Sequence, residues 1–96
     1  MKTGFKEARR GAILALEQGN YQHEARDSID VKNKLATGDV TPDFVADIIK
    51  RSRGNEHTCS PHHSVKGIDV HVIFSKGWYV KFYFIHPDTF FISVHQ

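Results

Sequence analysis

The chain has 96 residues, of which 40% are hydrophobic, 11% aromatic and 25% charged. That excludes disorder and collagen-like repeats, and the length allows one domain built on a single core. Thirteen Lys+Arg against eleven Asp+Glu leave +2 with neutral His, the single Cys59 excludes an internal disulfide, and no apolar run reaches membrane-spanning length.

The first expected element is a helix over residues 5–18. Phe5, Ala8, Ala12, Ile13 and Leu16 recur at helical spacing, and Gly19 supplies a C-terminal stop. Its charged start, Lys6-Glu7-Ala8-Arg9-Arg10, is unlike a secretory signal, and with the lone cysteine it implies a cytoplasmic protein. A second helix is expected over residues 24–37, with Ala25, Ile29, Leu35 and Ala36 inward and Gly38 as its stop. A third begins at Thr41, the N-cap, with Pro42 in the first turn and Asp43 at the positive end of the dipole. Phe44, Val45, Ile48 and Ile49 form its apolar stripe, Lys50, Arg51 and Arg53 crowd its end, and Gly54 closes it.

Residues 55–67 lack a period and read as a loop with room for a short strand. From Ile68 the period becomes two. Three strands are expected, at 68–74, 78–85 and 89–95, joined by Ser75-Lys76-Gly77 and His86-Pro87-Asp88. Connections this short predict an antiparallel meander. The fold expected is therefore α+β, with N-terminal helices on one face of a C-terminal antiparallel sheet of at least three strands.

Alternation assigns Ile68, Val70, Val72, Phe74, Trp78, Val80, Phe82, Phe84, Phe90, Ile92 and Val94 to the helix-facing side. The opposite side collects Asp69, His71, Ile73, Tyr79, Lys81, Tyr83, Ile85, Phe91, Ser93 and His95. Pairing Phe74 with Trp78 and Phe84 with Phe90 puts His71, Lys81 and Ser93 in one row and Tyr79 with His95 in the next. Charge supports a role for this half of the chain. Residues 1–49 carry −1, residues 50–96 carry +3, and six of the seven histidines are in the second half.

Metal-independent RNA cleavage needs a base for the 2′-hydroxyl, an acid for the leaving oxygen and a cation for the phosphorane. Imidazoles supply the first two, Lys81 the third, and Tyr79 and Tyr83 offer hydrogen bonds or stacking for an unpaired base. His57, His62, His63 and Lys66 add phosphate contacts from the loop. A rival reading makes His57-x-Cys59-x-x-His62-His63 a metal site, and hence a metal-dependent nuclease. No second Cys pair supports a structural zinc site. The other rival is a non-catalytic RNA- or partner-binding module using the same face.

Two segments, Gly77-Trp78-Tyr79-Val80-Lys81-Phe82-Tyr83-Phe84-Ile85 and Phe91-Ile92-Ser93-Val94-His95, together resemble the C-terminal hairpin of the MqsR family of toxin endoribonucleases. Upstream the resemblance extends through residues 44–49 and the early helices. It implies a RelE-like α+β fold and metal-independent mRNA cleavage by the toxin of a type II toxin–antitoxin pair. Growth inhibition and neutralisation by a cognate antitoxin follow, with no cofactor. The family tyrosine matches Tyr79, and Lys81 follows at the same spacing. The chain departs from the family at His95 and near His57, where relatives carry lysine. On this reading His95 is an acid/base with Tyr79 beside it, Lys81 stabilises the phosphorane, and His71 or His57 is the second proton-transfer group.

Overall fold

The computed structural model describes residues 4–23 and 33–96. Helix α1 spans Phe5–Gln18 and ends at Gly19, whose φ of 71° is the left-handed conformation that glycine adopts without steric cost. Its buried residues, Ala8, Ala12, Ala15 and Leu16, are mostly small, so the helix lies close on the sheet. At Gly11 a Cβ would come within 3.0 Å of the Phe84 ring.

Most of the expected second helix lies outside the described residues. Its described end is a short helix, α2, at Lys34–Thr37. Asn33 caps it, with Oδ1 accepting from the Ala36 amide at 3.1 Å. Asn33 has φ −126° and ψ 86°, so α2 starts there and is not the tail of a helix running through residue 33. Asn33 is fully buried, and its Nδ2 donates to the Phe91 carbonyl and to Nδ1 of His23. Helix α3, Pro42–Arg51, begins as the sequence predicts, with Thr41 Oγ1 accepting from the Phe44 amide at 3.1 Å. It stops at Ser52, short of Gly54. Arg9 of α1 donates to the carbonyls of Ile49 and Lys50, satisfying orphan acceptors at the α3 terminus.

Among the described residues, five strands follow the order β1-β5-β4-β3-β2. They are β1 Tyr21–His23, β2 His57–Pro61, β3 Asp69–Ser75, β4 Trp78–Ile85 and β5 Asp88–His95. All neighbours are antiparallel except β1, which runs parallel to β5. The fold is α+β, as expected, with two edge strands beyond the three that periodicity reveals. β2 realises the short strand allowed for in the loop, whereas β1 is too short to show a period.

Both hairpins turn over two residues, not three. At the first, Ser75 pairs with Trp78 across Lys76 and Gly77, whose φ values of 55° and 80° suit a type I′ turn. This shifts β3 by one residue against the expected register. A one-residue shift reverses every side chain. His71, Ile73 and Ser75 therefore face the helices, while Val70, Val72 and Phe74 face away. At the second hairpin Ile85 pairs with Asp88 across His86-Pro87, a cis peptide. Here a β-bulge corrects the offset. Phe82 pairs with Phe91, Lys81 with Ser93, and Ile92 is the extra residue between them. Phe91 thus enters the core, correcting its expected outward position, while Phe90 and Ile92 turn outward.

The main core joins Ala8, Ala12 and Leu16 of α1, Leu35, and Val45, Ala46 and Ile49 of α3 to Ile73, Val80, Phe82, Phe91 and Val94. A second cluster of Val70, Tyr83 and Ile92, with Ile68 and Phe90 against it, lies on the other face. The segment after β2 turns back over that cluster, His62 donating its amide to the Ile68 carbonyl. No helix among the described residues is long and apolar enough to cross a membrane.

Candidate functional site

The face away from the helices is ordered in rows by strand pairing. Phe74, Tyr79 and His95 form one row, and Val72, Lys81 and Ser93 the next. The expected pairs Tyr79–His95 and Lys81–Ser93 are present, because the β5 bulge restores the register that the short turn displaces. The Tyr79 and His95 rings stack with centroids 5.0 Å apart. His95 Nδ1 lies 3.0 Å from the Gln96 main-chain oxygen, which can only accept. Nδ1 therefore carries a hydrogen, and in the neutral ring Nε2 holds the lone pair.

On the other side of Lys81 lies a concavity of about 200 Å³, lined by Ser60, Pro61, His62, His63, Val70, Lys81 and Ile92. His62 Nδ1 accepts from the amides of Ser64 and Val65, both at 3.0 Å. Its hydrogen therefore sits on Nε2, the opposite tautomer to His95. His62 packs edge-on against Tyr83 and stacks on the exposed His63. Among the described residues no carboxylate lies within ion-pairing distance of Lys81. Two larger concavities, of about 340 and 380 Å³, border α1, but neither combines a histidine with a lysine or arginine.

His71 does not share this face. It is 1% exposed, pairs with Phe82 instead of Lys81, and stacks on the Phe82 ring. Its Nδ1 lies 3.0 Å from Nε2 of His57, so one ring donates and the other accepts. Burial lowers the His71 pKa, the neighbouring His57 lowers it further, and Asp69 opposes them. Burial also lowers His57 and, in β1, His23. His57 and Cys59 pair with Ile73 and His71 on the helix side, whereas His62 packs on the outer cluster. The sheet thus divides the His57–His63 motif. Among the described residues no three His, Cys, Asp or Glu side chains gather in a way that could hold a metal ion.

No protein-family model, no curated protein and no solved structure matches this chain.

Of the residues singled out from sequence, Tyr79, Lys81, His95, His62 and His63 come together. His71 and His57 form their own pair on the opposite face. Lys66 is exposed in the loop before β3 and does not line the concavity. Tyr83 is 6% exposed, stacked on Phe90 and covered by His62, so it supports the face from within. Phe74, assigned to the core from alternation, is instead 55% exposed beside Tyr79. The Lys76-Gly77 dipeptide, read as a two-residue turn, would have placed it there.

Proposed function

We propose that the outer sheet face binds single-stranded RNA and cleaves it without a metal ion. One observation carries the reading. Lys81, without an acidic partner among the described residues, stands between a Tyr79–His95 stack and a His62–His63 stack on the face that the helices leave uncovered.

Each nitrogen then has a part. Nε2 of His95 takes the proton of a 2′-hydroxyl, and Tyr79 holds that ring in place. The 2′-oxygen bonds to phosphorus, the bond from phosphorus to the 5′-oxygen breaks, and the leaving oxygen takes a proton from His63. Lys81 and the Nε2 hydrogen of His62 stabilise the charge gathering on the phosphoryl oxygens. The products are a 2′,3′-cyclic phosphate and a 5′-hydroxyl. His71 and His57, on the opposite face, have no part in this scheme.

The resemblance of the β4–β5 hairpin to the MqsR family extends the reading. It makes the chain an mRNA interferase, a cytoplasmic type II toxin restrained by a cognate antitoxin. The lysine-to-histidine departure at His95 replaces a fixed cation with a proton-transfer group, whereas the departure near His57 lies on the opposite face.

The test uses purified protein, single-stranded RNA and EDTA. Cleavage with cyclic-phosphate ends is expected, together with growth arrest on expression that His95→Ala relieves. A requirement for added metal, 3′-hydroxyl ends, or binding without product would contradict the proposal.

A further inference from the structure

We propose that Phe74 and Tyr79 form a base-stacking subsite, in which an unpaired RNA base lies on Phe74 while its neighbouring phosphate meets Lys81. This rests on the reading of the face as a single-stranded RNA site.

Phe74 is the most exposed large hydrophobic side chain among the described residues, at 55%. Phe44, also exposed, meets the Trp78 ring at 5.2 Å. Phe74 has no ring contact among the described residues, although it is paired directly with Tyr79. The Tyr79 ring is backed by His95 on the far side. Aromatic groups therefore span three adjacent strands in one row, and the ring at its open end lacks a partner.

The next row places Lys81 two residues along β4 from Tyr79, about 7 Å away at the usual strand rise. Val72 and Ser93, its neighbours in that row, carry no charge. An open ring beside an unopposed cation, with no acid between them, suits a nucleotide. The base stacks, and the phosphate pairs with the ammonium. A second copy of the chain is disfavoured, because a two-fold contact through this face would set its cationic surface against itself.

The probe is a 2′-O-methyl oligoribonucleotide, which cannot be cleaved through its 2′-oxygen, carrying one 2-aminopurine. Binding to the wild type should quench the fluorophore. Phe74→Ala should lose the quench and weaken binding about tenfold, with an unchanged salt slope because no charge is removed. Phe74→Trp should restore both affinity and quench, which excludes a general effect on folding. Wild-type affinity and quench in Phe74→Ala would overturn the subsite. So would loss of self-association in that variant with RNA binding intact, or no binding of the probe by the wild type. Quenching without cleavage of ordinary RNA would remove the nuclease reading and leave the subsite standing. Cleavage and probe binding that ignore Phe74→Ala would do the reverse.

Discussion

His71 and His57 share a single N–H between two facing nitrogens 3.0 Å apart, and His71 is 1% exposed. One added proton would bring a charge into this buried pair, and protonation of both rings would set two donors against each other. Desolvation lowers both groups, with the charge of His57 adding to the effect at His71. An unfolded histidine titrates at about 6.5. Below that pH the unfolded chain binds protons that the folded chain refuses. Stability is therefore full above about 6.5 and falls as the pH drops towards the lowered folded values. Thermal unfolding measured from pH 7.5 down to 5 should show a declining Tm. His71→Phe, set among the rings of Phe82 and Phe84, should make that decline shallower and leave the share due to the burial of His57 and His23. An unchanged slope would contradict the buried-pair account. The histidine count by itself does not make this distinction. In sequence His71 and His95 look alike, and only register separates a core imidazole from a surface one.

Two turns and one bulge decide which residues reach the outer face. The alternation of β3 is ambiguous in itself. Val70, Val72 and Phe74 are apolar in one phase, and His71 and Ile73 are largely apolar in the other. The more hydrophobic phase looks like the core, yet it faces outward because a second apolar cluster covers part of that face. The helices were more legible, since Thr41-Pro42-Asp43 and Gly19 act through local backbone chemistry that tertiary contacts do not override. β1 was not legible, as three residues paired with a distant strand leave no periodic trace. Lys76, a non-glycine residue at φ 55°, occupies a position that favours Asn or Gly. Lys76→Asn should raise stability by up to about 1 kcal/mol, read as a higher urea midpoint. Gly77→Ala, at φ 80°, should lower stability by about 1 kcal/mol. The opposite signs would mean that β3 and β4 are joined by a longer turn, and that the rows of the outer face are misassigned.

Across the whole molecule, the formal +2 divides into an acidic half that builds the helical cover and a basic half that builds the sheet. Helices α1 and α3 close one sheet face. The segment from His62 to Ile68 closes only part of the other, leaving Lys81 between the two ring stacks. The fold class and the Tyr79–Lys81–His95 grouping were readable before the structure, because a two-residue turn and a one-residue bulge cancel along β4 and β5. His71 was misplaced because β3 has no such correction. In the proposed function, chemistry belongs to the outer face and not to the buried His57–His71 pair. The most direct test measures cleavage of single-stranded RNA in EDTA by His95→Ala, Lys81→Ala and His71→Phe, each first shown to be folded. The outer-face variants should lose about 100-fold or more in rate, and His71→Phe should stay close to wild type. Loss of activity in His71→Phe with retention in the other two would contradict the account.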